Sequence, residues 1–210
     1  MASIFQLVVR SLKGSNIVPS STAGSVTVAG PISPTMTVPE GAEVATVAAG
    51  CFWGVEHIYR KYFGDGKGLL DARVGYSGGS SLSPTYREVC SSTTGHAEAL
   101  QIVFDPKLVS YETLIDFFFR MHDPTTMNRQ GPDTGSQYRS VIFYHSEEQK
   151  KTAEEVKVKL EKSFYKTHPI VTQIVPIQQW WDAETYHQLY LVKNPYGYEC
   201  PTHYLRTSPD

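Results

Sequence analysis

The chain has 210 residues, 40% of them hydrophobic and 12% aromatic, which is enough to bury one substantial core, and the length favours one domain over two. A formal net charge of -2 supplies no global field that would recruit nucleic acid or an anionic membrane. No apolar run approaches the roughly 20 residues that span a bilayer, so a soluble, cytoplasmic protein is expected.

Residues 1–41 are rich in Ser, Thr, Gly and Pro and hold no acid before Glu40, and they read as a disordered leader or tail. Arg10 beside an apolar stretch also fits a mitochondrial presequence, which is the alternative location. Residues 42–210 read as a single domain. Val44 to Ala49 form a short apolar strand that Gly50 breaks. Phe52, Val55, Tyr59, Tyr62 and Phe63 then follow helical spacing until Gly64. Strands are expected near 69–76, 98–104, 140–144 and 170–176, and helices near 111–121, 146–162 and 183–191. Ser146 with Gln149 is a capping-box pattern, and Asp182 is a cap for the last helix. Single strands and helices alternate without a dinucleotide fingerprint or repeat, which predicts an α+β fold of two layers, a mixed sheet with helices packed on it. Pro195, Gly197 and Pro201 prevent the last helix from continuing and leave an extended C-terminal tail that carries Cys200.

Three cysteines, Cys51, Cys90 and Cys200, are too widely and irregularly spaced for a secreted disulfide framework, so reduced thiols are expected. Seven histidines without CxxC, HxxxH or HExxH pairing give no metal signature, and neither a metal nor a cofactor is expected. Cys51 lies where a buried strand turns into a helix. Unpaired N–H groups and the positive dipole end at that point favour its thiolate, while the competing reading is a small buried hydrophobe. Glu98 shares two-residue parity with Leu100, Ile102 and Phe104, which puts it on the apolar face of its strand. Burial there would raise its pKa and keep a proton available; the alternative is a strand-end carboxylate that reaches solvent.

Gly50-Cys51-Phe52-Trp53-Gly54, Gly75-Tyr76-Ser77-Gly78-Gly79, Pro84 to Cys90, Gly95 to Ala99, His122-Asp123-Pro124, Gln130 to Asp133, Gln137 to Ser140, Tyr186-His187-Gln188 and Cys200-Pro201 follow one another in register. Over about residues 44–206 the chain resembles the methionine sulfoxide reductase A family. The resemblance implies a ferredoxin-like core and reduction of methionine-S-sulfoxide, peptidyl and free, by a thiol. It makes Cys51 the nucleophile and Glu98 the proton donor, with Tyr86 and Tyr138 as phenols on the sulfoxide oxygen. Phe52 and Trp53 become the apolar wall for the substrate methyl group, and Asp133 orders the polar side. A turn role for Asp133 after Pro132 is compatible with this.

The resemblance further implies that Cys200 resolves the sulfenic acid to a disulfide, which thioredoxin then reduces directly because no cysteine follows it. Cys90 is the rival for that step, with a structural role as its simpler reading. His96 and His187 are expected to position the site and not to transfer protons. A monomer that repairs oxidised proteins is expected. Three rivals remain: a peroxidase using the same thiols, a cysteine hydrolase, for which no histidine base is identifiable, and a noncatalytic module binding methionine-bearing peptides.

Overall fold

The computed structural model describes residues 30–208. Most of the expected leader lies outside these residues. Its last part does not fit the expectation of disorder through residue 41, because residues 31–38 are packed on the sheet. The Ser33 N–H donates to Gln101 Oε1 at 2.7 Å, and Ile32, Met36 and Val38 lie against Val44 and Val103.

The chain order is β1 (Glu43–Ala49), α1 (Phe52–Phe63), β2 (Leu69–Ser77), α2 (Tyr86–Cys90), β3 (Ala97–Phe104), α3 (Tyr111–Met121), β4 (Arg129–Gln130), β5 (Asp133–Thr134), β6 (Ser140–Tyr144), α4 (Glu147–Ser163), β7 (Gln173–Pro176), β8 (Trp181–Asp182) and α5 (Tyr190–Lys193). The main sheet runs β7-β6-β1-β3-β2-β8. Its four central strands pair antiparallel, and β7 joins β6 in parallel. Strands β1, β2, β3 and β6 with helices α1 and α3 make a βαββαβ unit in the order β6-β1-β3-β2, the split arrangement of a ferredoxin-like core.

Alternation along the strands divides the buried residues between two faces. Val47, Val74, Leu100, Ile102, Phe104 and Ile142 meet Val55, Ile58 and Tyr59 of α1, Leu114, Ile115 and Phe118 of α3, and Val156 and Leu160 of α4. Each such side chain contributes about 1.5–3 kcal/mol through removal from water, and the helix layer is held on by that burial. The opposite face carries Ala48, Ala99, Val141 and Phe143 and is covered by Ile177 and Trp180 together with the segment before β1.

Helix starts follow local chemistry. Ser146 Oγ accepts the Gln149 N–H as its spacing suggested, but Gln149 Oε1 reaches one residue further back, to the His145 N–H. The full capping box is at Thr85 and Glu88, which open α2. The helix expected over 183–191 is absent. Asp182 lies in β8 and accepts from Trp180 Nε1 at 2.6 Å and Thr35 Oγ1 at 2.8 Å, while the chain beyond it forms turns up to the short α5. Long-range bonds hold the segment instead, through the Gln188 side chain and one backbone N–H that a helix would use. The Gln188 amide pairs with both Val74 N–H and C=O on the edge of β2, and the Leu189 N–H donates to Glu56 Oε2 at 2.8 Å with Leu189 at φ +56.

Candidate active site

The site is built where β1 meets α1. Gly50 adopts φ +94, which turns the chain sharply and suits a residue without Cβ. Cys51 is then the N-cap of α1, 7% exposed and free. A side chain at Gly50 would come within 2.7 Å of Gln130, and one at Gly54 would overlap the His203 imidazole. The two glycines that flank Cys51 thus make room for the C-terminal tail. His203 Nε2 donates to Ala49 C=O at 2.7 Å, and burial lowers the pKa of its ring to about 4, so the tail is pinned under α1 by a neutral histidine.

Glu98 is 1% exposed and lies on the helix-covered face with Leu100 and Ile102, as its parity predicted. Its Oε2 accepts the Phe52 N–H at 3.0 Å, which seats the carboxyl next to the residue that follows Cys51. Burial pushes its pKa up to about 8 against the pull of that N–H, and the charge of Asp133 adds to the rise. Glu98 therefore holds a proton near neutrality.

The expected thiolate at Cys51 is not the resting state. Burial and then the charge of Glu98 raise the pKa of the thiol well above its ordinary range. The amides of Trp53 and Gly54 pull the other way and do not prevail. A helix terminus stabilises an anion only when desolvation is smaller than the dipole's contribution, and here it is larger. The resting pair is a thiol and a carboxylic acid.

Tyr138 is the last residue of a 3-10 turn at Ser136–Tyr138, and Tyr86 opens α2 with its N–H donated to Glu184 Oε1. Burial raises both phenols; a hydrogen bond to Cys90 and then the charge of Glu98 add to the rise at Tyr86, and the charge of Glu98 adds to it at Tyr138. Asp133, in the β4–β5 hairpin, acts electrostatically on Cys51, Glu98 and Tyr138. Cys90 is half-buried at the end of α2, beside the Tyr86 hydroxyl. Among the described residues no group of three or more His, Cys, Asp or Glu converges as a metal set.

The apolar wall is ordered by a loop. Trp53 stacks on Tyr190 with centroids 3.7 Å apart, and its Nε1–H donates to His187 Nδ1 at 2.9 Å. The His187 ring also lies 5.0 Å from Phe52 and 4.5 Å from Tyr86. Cys200 is buried and free; its thiol donates to Gln130 C=O at 3.5 Å and contacts Thr202 Oγ1 at 3.3 Å. Two residues before it, the Tyr198 hydroxyl donates to both oxygens of Asp133, at 2.9 and 3.0 Å.

All eight residues selected from sequence, Cys51, Phe52, Trp53, Tyr86, Glu98, Asp133, Tyr138 and Cys200, converge on this region. Sequence reasoning missed Glu184, Tyr198 and His203. The paired glycines around Cys51 were a usable sign that something lies against them; Tyr198 carried no sign beyond its nearness to Cys200.

Residues 43–208 match the family model described as peptide methionine sulfoxide reductase. A probable peptide methionine sulfoxide reductase of Schizosaccharomyces pombe is 54% identical over 164 residues, 78% of this chain and 96% of that protein. Mxr1 of Saccharomyces cerevisiae in reduced form is similar in structure, with a TM-score of 0.79 and 47% identity over 84% of this chain and 99% of that one. The same yeast protein in complex with Trx2 aligns over the same shares with a TM-score of 0.59 and 35% identity. With a family model spanning the whole sheet and every block of the site, the chain belongs to the peptide methionine sulfoxide reductase family.

Proposed function

We propose that the chain reduces methionine-S-sulfoxide, peptidyl and free, to methionine, with Cys51 as nucleophile, Glu98 as acid and Cys200 as resolving thiol. The observation that carries this assignment is the buried Glu98 carboxyl, protonated near pH 7 and held next to Cys51 by the Phe52 N–H. A sulfoxide oxygen leaves its sulfur only if it gains a proton, and a buried acid with a value near 8 supplies one at neutral pH.

As Cys51 Sγ attacks, the sulfoxide oxygen passes to it. The oxygen takes the proton of Glu98, and the proton released by the thiol restores the acid. The substrate sulfur is reduced by two electrons and Cys51 becomes a sulfenic acid. Tyr86 and Tyr138 stabilise charge on the oxygen as donors that stay protonated. Cys200 then condenses with the sulfenic acid, forming the Cys51–Cys200 disulfide and releasing water. A dithiol reductant returns both thiols by exchange, itself becoming a disulfide. The complex of yeast Mxr1 with Trx2 supports thioredoxin in that part, and repair of oxidised proteins follows as the role.

The test follows the S and R sulfoxides of one peptide by chromatography, with dithiothreitol as reductant. Consumption of the S epimer alone, abolished by Cys51→Ser, is the expected result. Consumption of neither epimer by a folded, reduced sample overturns the assignment.

A further inference from the structure

His187 sits at the centre of the apolar wall yet has no part in the chemistry above. It is 1% exposed and surrounded by Phe52, Trp53, Tyr86 and Tyr186. An indole N–H can only donate, so the 2.9 Å contact from Trp53 Nε1 requires His187 Nδ1 to be the acceptor. The ring proton must then be on Nε2. That atom has no hydrogen-bond partner, and Glu184 Oε2 stands 3.8 Å away. A proton-transferring histidine needs a partner at hydrogen-bond distance on the atom that exchanges the proton, and this ring spends its accepting nitrogen on the indole.

Everything around the ring restrains it. The Gln188 amide is paired to Val74, the Leu189 N–H to Glu56, and Glu184 to the Tyr86 N–H and the Tyr76 hydroxyl. On the far side of Trp53, Tyr190 stacks at an interplanar angle of 12°. The indole is thus fixed on its face by Tyr190 and at its edge by His187.

We propose that His187 is a positioning residue: as the Nε2-protonated tautomer it accepts from Trp53 Nε1–H and sets the plane of the indole that receives the substrate methyl group. The inference rests on the function proposed above. A binding wall that turns freely loses substrate affinity and leaves the chemical step intact, so the consequence falls on KM.

His187→Asn keeps an oxygen at the Nδ1 position, and His187→Leu removes the acceptor. With methionine-S-sulfoxide peptide and dithiothreitol, His187→Leu should raise KM about fivefold to tenfold, the worth of one hydrogen bond, with kcat within about twofold. His187→Asn should stay within about twofold of the parent in both. In a Trp53→Phe background His187→Leu should add nothing. Equal impairment by Asn and Leu, a fall in kcat with KM unchanged, or a full effect in the Trp53→Phe background overturns the proposal. Nitrogen NMR of the unaltered chain tests the geometry without any variant: unprotonated Nδ1 and protonated Nε2 support it, and the reverse tautomer overturns it. Failure of the unaltered chain to reduce the S epimer would instead sink the functional reading, which the NMR result does not touch.

Discussion

The two halves of the site are built differently. The half to which we assign the oxygen transfer sits on regular elements: Cys51 caps α1, Glu98 is the second residue of β3, and one hydrogen bond from the Phe52 N–H ties the two elements together. The half that carries Cys200 has almost no regular structure from residue 183 on, and long-range side-chain anchors hold it, at Gln188, Tyr198 and His203. A group that must keep its geometry belongs on buried elements, whereas a thiol that must travel to another sulfur needs a segment that releases at modest cost.

The sharpest way to break this comparison is to remove each thiol in turn. Cys51→Ser should abolish both the first turnover and steady-state turnover. Cys200→Ser should release about one equivalent of methionine and then stall with thioredoxin, because the sulfenic acid has no partner. Quenched-flow counting of methionine per chain checks this, and sustained turnover by Cys200→Ser would transfer the resolving role to another thiol, with Cys90 the first candidate.

Next in size is Glu98→Gln, which leaves a neutral isostere without an acidic proton. The first turnover should slow by about 10²–10⁴. In the unaltered chain that rate should fall as pH rises through about 8, where Glu98 loses its proton. Stability carries the same sign. Between the ordinary value of 4.5 and about 8 the folded chain keeps a proton that the unfolded chain has released, so stability is greatest below that window and falls as pH rises through it. Glu98→Gln should flatten that slope in denaturant titrations from pH 5 to 8.5.

The rigid half was legible in sequence because its determinants are local. The apolar run of β1, the break at Gly50 and the 3.6 spacing of α1 gave bounds that match the structure, and period-two parity placed Glu98 on its buried face. The irregular half resisted because its determinants are distant. Residues 183–189 have helix-compatible spacing, but Gln188 and Leu189 bond to Val74 and Glu56, partners over a hundred residues away. The protonation of Cys51 was misjudged for the same reason. The helix terminus is visible in sequence, whereas the burial and the nearby Glu98 that outweigh it appear only when β3 lies beside β1.

A smaller effect is expected at Gly54, where the two halves touch. Gly54→Ala places a methyl group on the His203 ring, which must move off Ala49 C=O. Overpacking of this kind costs about 1–3 kcal/mol. A lower Tm is expected together with faster alkylation of Cys200, since the tail loses its anchor. An unchanged alkylation rate would show that His203 does not hold the tail.

Smallest of all should be Tyr198→Phe. The phenol is 43% exposed, so its bond to Asp133 is screened by water and contributes about 1 kcal/mol or less. A loss of that size shifts Tm by only a few degrees. It still acts on a small local equilibrium, because Tyr198 is the upstream anchor of the segment whose downstream anchor is His203. Releasing one anchor lets Cys200 leave Gln130 while His203 keeps the end of the tail in place. Iodoacetamide should therefore label Cys200 about two- to fivefold faster in Tyr198→Phe, the population change that 1 kcal/mol or less allows. The first turnover should match the parent, because Cys51 and Glu98 rest on α1 and β3. If the first turnover slows as much as the labelling speeds up, Tyr198 acts through Asp133 on the reacting atoms, and the division between a rigid half and a releasable half is drawn in the wrong place.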